Sequence, residues 1–171
     1  MAATSHPLAT GVAVDVLRRG GNALDAAIAA AATLAVVEPQ STGIGGDCFA
    51  LMCLKGGSDV IGFNGSGRSP AAASLERLVA EGMTEIGETS VHSVTLPGAV
   101  DAWTRLHEAY GRMEFAELLA PAIPYARDGY PVHARVRFDW RLSADLLRRY
   151  EATRELFLPG GEVPKEGDLH R

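Results

Sequence analysis

A glycine-rich stretch, Gly62–Ser69, comes close to the phosphate-loop pattern GxxxxGK[ST] of nucleotide-binding proteins. It reads GFNGSGRS and follows a predicted strand. Two departures argue against a nucleotide site. Arg68 stands where the pattern has lysine. Pro70 biases Ser69 away from the helical conformation, at the point where a phosphate loop must begin its helix. We therefore do not predict nucleotide binding.

Arg68 is itself a candidate binding residue. A guanidinium in a loop at the end of a strand can hold a carboxylate through two parallel hydrogen bonds. An ordinary surface salt bridge is the alternative interpretation of the same arginine. The residues alone leave both interpretations open.

A second run of glycines, Gly43–Gly46, invites a dinucleotide-binding interpretation. In such sites the glycines follow a strand and open a helix, whereas here they follow a predicted helix and precede a predicted strand. Close backbone packing between helix and strand is the better interpretation of the segment. It predicts that Gly45→Val damages folding by crowding the turn.

Serine, threonine and histidine recur in TSVHS at positions 89–93, which would place a nucleophile beside a base. No acid partner or strained turn accompanies them, so a polar loop before Pro97 is the favoured interpretation. The other histidines lack the spacing of metal ligands and are predicted to be surface or helix-capping groups. They are His6, His107, His133 and His170.

The two cysteines, Cys48 and Cys53, lie five residues apart in an apolar run. In a strand this odd separation directs their side chains to opposite faces, so they cannot easily pair with each other. We predict two buried free thiols, and neither a disulfide nor a zinc site.

Composition restricts the class of protein. The chain has 171 residues, 47% of them hydrophobic, and a formal net charge of -5. This excludes a disordered or collagen-like chain. Because the sequence has no basic stripe, we predict no nucleic-acid partner. No charged segment followed by an apolar one opens the chain, which favours a cytoplasmic location. The longest apolar stretch, Ala26–Val37, is shorter than the roughly 20 residues of a membrane-spanning helix.

Helical periodicity and punctuation predict the elements that must position these residues. One helix begins at Pro7 and stops at Gly20, and Asn22 caps a second helix that ends before Pro39 and is sandwiched in the core. Two apolar runs, 48–54 and 59–63, predict a hairpin whose first strand is buried on both faces. Further helices are predicted over 75–80, 98–110, 114–127 and 132–150, followed by a loop-like end. We predict a layered α/β fold in one domain over residues 1–171.

Four blocks in this order resemble the γ-glutamyltransferase (γ-glutamyltranspeptidase) family and span nearly the whole chain. They are ATSHPLAT at 3–10, LRRGGNALDAAIAAAATLAVVEPQSTGIGG at 17–46, LPGAVDAW at 96–103 and YGRMEFAELLAPAIPYARDGYPV at 110–132. The resemblance implies part of the αββα sandwich of an N-terminal-nucleophile hydrolase, which needs no cofactor. It further implies a precursor that cuts itself into a large and a small chain, with this chain forming the first part of the large one.

In that family the nucleophile is the N-terminal threonine of the small chain, and it attacks a γ-glutamyl amide such as glutathione. The acyl group then passes to water or to an amino acid or peptide. The resemblance therefore implies that this chain alone lacks the nucleophile and is inactive, and that its partners are the small chain and a small-molecule amide. No residue of this chain is predicted to be catalytic.

One departure bears on the substrate. The family's large-chain arginine, which holds the α-carboxylate of the glutamyl group, lies four residues before a proline. Counting back from Pro70 gives Ser66, and Arg68 lies two residues later. Ser66 and Arg68 are therefore the candidate substrate-binding residues. The segment is similar to a divergent branch of the family, some members of which resemble acylases or small-amide hydrolases. Asp47 and Cys48, which stand where many members continue with glycines, indicate the same branch. A small-amide hydrolase without γ-glutamyl specificity and a non-catalytic binding domain remain alternatives.

Overall fold

The computed structural model describes the backbone of residues 1–171 and every side chain except that of Lys55. Helices alternate with two short antiparallel sheets. In chain order the elements are α1 (Pro7–Arg18), α2 (Ala23–Val37), β1 (Phe49–Cys53), β2 (Val60–Asn64), α3 (Leu75–Ala80), α4 (Ala99–Tyr110), α5 (Phe115–Leu119), α6 (Ala122–Asp128), β3 (Tyr130–Pro131), α7 (Ala134–Leu142), α8 (Ala144–Leu147), α9 (Glu151–Phe157) and β4 (Leu169–His170).

The chain forms two compact units. The first combines residues 1–43 with 107–171, and the second comprises residues 44–106. None of the described helices is both long and apolar enough to cross a bilayer.

The start of the first unit follows its sequence signals closely. Pro7 occupies the first turn of α1, and Gly20, with φ +94°, follows its end. Asn22 caps α2 by accepting hydrogen bonds from the N–H groups of Leu24 and Asp25, and the Asp25 carboxylate accepts from the N–H of Asn22 in return. This reciprocal capping box satisfies helix N–H groups that have no partner within α2. The predicted starts of α1 and α2 are confirmed.

Helix α2 is the centre of the first unit. It packs against α1, α5 and α6, and its alanines allow close approach of these neighbours. The most buried of its side chains include Ile28, Ala29 and Thr33, each at most 2% exposed. The Thr33 hydroxyl donates to the carbonyl of Ala29, which removes the cost of burying it. The prediction of a sandwiched helix is confirmed.

Two predicted long helices are broken. The helix predicted over 114–127 is divided into α5 and α6, and Pro121 is the N-cap of α6. The ring of Pro121 removes an N–H donor and interrupts the helical hydrogen bonds. The helix predicted over 132–150 is divided at Ser143, the C-cap of α7 and the N-cap of α8. A further helix, α9, was not predicted.

An aromatic core lies at the C-terminal end of the first unit. The Trp140 ring packs edge-on against the rings of Phe157 and His170, at centroid distances of 5.2 and 4.8 Å. Strand β4 pairs with β3 in the register Tyr130↔His170, which brings the His170 ring to this core at 6% exposure. The prediction of a surface or capping histidine is wrong for His170, because strand pairing overrides the loop-like local sequence.

His6 and His133 do cap helices, as predicted. The Nδ1 atom of His6 accepts from the N–H of Leu8, and that of His133 accepts from the N–H of Arg135. Unlike a surface group, His6 is only 1% exposed, and its ring lies 5.0 Å from that of His133.

The second unit contains the predicted hairpin. Strands β1 and β2 pair antiparallel, from Phe49↔Asn64 to Cys53↔Val60. Alternate residues of both strands are exposed, and the exposed fractions of Phe49 and Leu51 are 68% and 81%. The prediction that β1 is buried on both faces is wrong in this structure, because the two-stranded sheet has only one covered face. Cys48 and Cys53 are free thiols, but Cys48 is only partly buried and Cys53 is exposed, so the prediction that both are buried is wrong.

Candidate functional site

The segment that follows β2 carries both predicted binding residues. Ser66 and Arg68 are exposed, whereas Gly65 and Gly67 are partly buried. This alternation is the pattern of an extended segment with two side chains on one side. The structure therefore brings Ser66 and Arg68 to the same exposed side of the second unit.

Hydrogen bonds fix this segment along its length. The carbonyl of Cys48 accepts from the N–H of Gly65 at 2.8 Å, which extends the hairpin by one residue. The Asp47 carboxylate accepts from the N–H of Gly67 at 2.9 Å. The carbonyl of Arg68 accepts from the N–H of Leu96, also at 2.9 Å. The backbone on both sides of Arg68 is thus held by groups that are distant in sequence.

Two glycines allow the segment to lie against residues 96–98. A Cβ atom at Gly67 would overlap the carbonyl oxygen of Leu96. A Cβ atom at Gly98 would overlap the carbonyl oxygen of Gly65. Neither glycine has a positive φ angle, so the requirement comes from close backbone approach.

In the glycine run 43–46, Gly46 anchors the start of α4. The carbonyl of Gly46 accepts from the N–H groups of Gly98 and Ala99 at 3.0 and 2.8 Å, which satisfies donors at the start of the helix. Added Cβ atoms at Gly43 or Gly45 would meet nothing within 4 Å. The interpretation of this run as close packing is therefore wrong at these two positions, and the expected damage from Gly45→Val loses its basis.

The guanidinium of Arg68 forms no salt bridge with any side chain that the structure describes. Arg105 of the same unit differs, since it pairs with Asp101 at 3.7 Å and lies over the Phe63 ring. Of the two interpretations of Arg68, the surface salt bridge does not occur here. The other interpretation, that Arg68 binds a carboxylate through two hydrogen bonds, stays a prediction.

The phosphate-loop interpretation fails on geometry. After Ser69 the chain makes a turn, in which the N–H of Ala73 donates to the carbonyl of Pro70. Helix α3 begins only at Leu75. A phosphate loop needs a helix N-terminus directly after its last glycine, and this segment has none.

Two serine hydroxyls and one thiol of the second unit form hydrogen bonds within the protein. The Ser90 and Ser93 hydroxyls bond to backbone atoms of residues 88–92, as expected of a polar loop. Burial raises the pKa of the Cys48 thiol, which a hydrogen bond with the Trp103 side chain partly offsets, so this thiol is a poor nucleophile. Among the described side chains, no three His, Cys, Asp or Glu residues gather as a metal site would require.

Comparison with known proteins identifies the family. Residues 9–171 match the gamma-glutamyltranspeptidase family. The chain belongs to this family. It is 38% identical over 169 residues to the glutathione hydrolase-like YwrD proenzyme of Bacillus subtilis, covering 98% of this chain and 32% of that protein. It is 36% identical over 177 residues to the oxamate amidohydrolase proenzyme of Klebsiella pneumoniae, covering 100% of this chain and 33% of that protein.

A solved structure supports the same assignment. Cephalosporin acylase from Bacillus halodurans superposes with a TM-score of 0.90 at 43% sequence identity, covering 99% of this chain and 32% of that one. The predicted fold class, part of the layered N-terminal-nucleophile hydrolase fold of this family, is confirmed. The chain spans about a third of the length of the curated relatives it matches.

Sequence reasoning did not find the role of Asp47 in this site. Its carboxylate bonds to a residue 20 positions away, a separation at which no local pattern operates. The only signal was its place directly after the glycine run. The contributions of Leu96 and Gly98 were visible only as part of the block LPGAVDAW.

Proposed function

We propose that this chain forms part of an amide hydrolase and acyltransferase whose substrates carry a carboxylate on the acyl side. γ-Glutamyl amides such as glutathione are the first candidates. The observation that carries the proposal is the exposed Arg68 guanidinium, which has no salt bridge among the described side chains and stands on a segment held from both sides. A guanidinium of this kind recognises a carboxylate through two parallel hydrogen bonds.

The relatives support a carboxylate-bearing amide. One is named an oxamate amidohydrolase, and oxamate consists of a carboxylate bonded directly to an amide. Another is named glutathione hydrolase-like, and a third is named a cephalosporin acylase. An amide bond is common to the three names, whereas the acyl groups differ greatly in size. A fixed cation that anchors the carboxylate selects the acyl group whose length brings the amide to the nucleophile.

The second candidate is an amide other than a γ-glutamyl one, and the position of Arg68 favours it. The resemblance places the family's arginine at Ser66, which here is an exposed serine. In an extended segment a shift of two residues moves the point of attachment by roughly 6–7 Å. An acyl group of different length then fits between the guanidinium and the nucleophile.

In the proposed mechanism the nucleophilic threonine belongs to a second chain of the same precursor. Its α-amino group removes the hydroxyl proton as the oxygen attacks the amide carbonyl. The same group then gives the proton to the nitrogen of the tetrahedral intermediate, and the C–N bond breaks to release the neutral amine. Water or an amine acceptor then releases the acyl group. This chain contributes orientation, since Arg68 binds the substrate before and during the reaction.

The hairpin offers the second chain a packing surface. Its exposed face pairs Leu51 with Gly62 and Cys53 with Val60, and Phe49 lies at its end. Exposed apolar side chains in such a group mark an interaction surface. Two of the relatives are named proenzymes and are about three times as long as this chain, which supports a partner cut from the same precursor.

The test is to express the full reading frame and assay release of the chromogenic aniline from a γ-glutamyl anilide, and of ammonia from oxamate. Chain cleavage is followed on a gel. Turnover of the γ-glutamyl anilide supports the first candidate, and turnover of oxamate alone supports the second. A protein that neither cleaves itself nor turns over either amide contradicts the enzyme and leaves the binding-domain alternative.

The first prediction concerns Arg68. Arg68→Ala should raise KM for the accepted amide by at least about tenfold, because the substrate carboxylate loses a charge-assisted pair of hydrogen bonds. The exposed Arg141→Ala in α7 of the first unit is the matched control and should leave KM unchanged. An unchanged KM in Arg68→Ala, with normal thermal stability, would show that the carboxylate is bound elsewhere.

A further inference from the structure

The carboxylate of Asp47 reaches across the hairpin to the peptide group between the two candidate binding residues. Its Oδ1 atom lies 2.9 Å from the N atom of Gly67. Gly67, which has no side chain, is the residue between Ser66 and Arg68. The Asp47 side chain makes this contact while remaining exposed itself. A carboxylate is a stronger acceptor for an N–H group than a neutral oxygen.

This bond acts at a glycine, where the backbone itself restricts conformation least. Glycine has the widest choice of backbone conformations, so a peptide group beside Gly67 rotates unless another group holds it. On the far side, the carbonyl of Arg68 is held by the N–H of Leu96 at 2.9 Å. The two bonds bracket the dipeptide Gly67–Arg68. If the Asp47 bond is lost, only one of these two anchors remains.

We infer that Asp47 is a positioning residue that sets the direction in which the Arg68 side chain leaves the backbone, and thereby the affinity for carboxylate-bearing amides. The inference rests on the proposed function of Arg68. Asp47 acts through Gly67 and touches neither the substrate nor the reacting atoms. Its contribution is the acceptor oxygen, so a neutral side chain of the same shape replaces it.

Three variants of the full-length protein test the inference by kinetics. Asp47→Ala should raise KM for the accepted amide about tenfold, the effect of one charge-assisted hydrogen bond, and leave kcat within about twofold. Asp47→Asn keeps the acceptor oxygen and should restore KM to within about threefold of the wild type. In an Arg68→Ala background, Asp47→Ala should add no further increase, because the two residues act through one interaction.

Hydrogen exchange separates this inference from the proposed function. Exchange of the Gly67 amide, followed by mass spectrometry of peptides that cover 64–68, should accelerate at least about tenfold in Asp47→Ala and remain slow in Asp47→Asn. If Arg68→Ala raises KM but Asp47→Ala does not, the inference fails and the proposed function stands. Unchanged exchange in Asp47→Ala overturns the inference whatever the substrate. If Arg68→Ala has no effect on KM, the proposed role of Arg68 fails, and this inference with it.

Discussion

At the residue scale, four glycines fall into two groups that the sequence does not distinguish. Gly67 and Gly98 lie where a Cβ atom would overlap a carbonyl oxygen. Gly43 and Gly45 lie in open space. What separates the groups is the distance to a segment about 30 residues away, and only the tertiary structure supplies this distance.

The second prediction follows from this difference. Gly67→Ala should destabilise the protein by roughly 1–3 kcal/mol, because the added methyl group forces the segment away from Leu96. Gly45→Ala is the control and should change the free energy of unfolding by less than about 0.5 kcal/mol. Urea unfolding of both variants measures the difference. Equal stability of Gly67→Ala and wild type would mean that the close approach is absent in solution.

The site was predicted in part. Arg68 was identified from its place in a loop after a strand, and Ser66 from the position that the family resemblance gives its arginine. The structure places both on one exposed side. Their role in binding stays a prediction. Asp47 and Leu96 escaped sequence reasoning, since each acts on the segment through a long-range hydrogen bond to its backbone.

At the scale of elements, the start of α2 shows how a buried carboxylate organises a helix. Asp25 is fully buried, and its two oxygens accept from the N–H groups of Asn22 and Arg112 at 2.8 and 3.0 Å. The side-chain amide of Asn22 donates to the carbonyl of Tyr110 at 2.7 Å. The capping box therefore ties α2 to the end of α4 as well as closing its own first turn.

The third prediction concerns this connection. Asp25→Ala leaves the N–H groups of Asn22 and Arg112 without their shared acceptor and should lower the free energy of unfolding by about 2–4 kcal/mol. Asp15→Ala in α1 removes an exposed carboxylate that forms only a 4.0 Å surface pair with Arg19, and should have little effect. Thermal unfolding of both variants tests the difference. A similar melting temperature for the two would contradict the structural role of Asp25.

Elements with local start and stop signals were predictable. Pro7 and Asn22 mark the starts of α1 and α2, and both helices form where predicted. The breaks at Pro121 and Ser143 were missed because the apolar periodicity continues across them. The exposure of β1 was missed because of what its apolar run can and cannot show. Such a run indicates that both faces of a strand become buried, but it does not show whether elements of the same chain bury them.

At the scale of the whole molecule, buried imidazoles make stability depend on pH. Burial lowers the pKa of His6 and of His170 below the ordinary value. His133 lowers the pKa of His6 further, and Glu38 opposes this. Both imidazoles therefore bind protons more weakly in the folded state than in the unfolded chain.

The fourth prediction gives the sign of this effect. Since the unfolded chain binds more protons, stability is full above pH about 6.5 and falls as the pH drops from there through the folded pKa values. Urea midpoints at pH 7.5 and 5.5 should show the loss. His170→Phe keeps an aromatic ring against Trp140 and removes one titrating group, so its loss between the two pH values should be smaller. An identical loss in this variant would assign the effect to other groups.

The hairpin determines how a separated copy of this chain behaves in concentrated solution. Its two strands leave one apolar face uncovered, and a two-stranded sheet has a free edge on each side. Such edges offer rows of backbone donors and acceptors to any other strand. The neighbouring apolar side chains favour the packing of one sheet on another. The same surface that we propose for assembly within one precursor thus promotes edge-to-edge aggregation when the chain is produced alone. If the proposed precursor exists, folding while still joined to it avoids this competition, because a covalently linked partner reaches the surface before another molecule does.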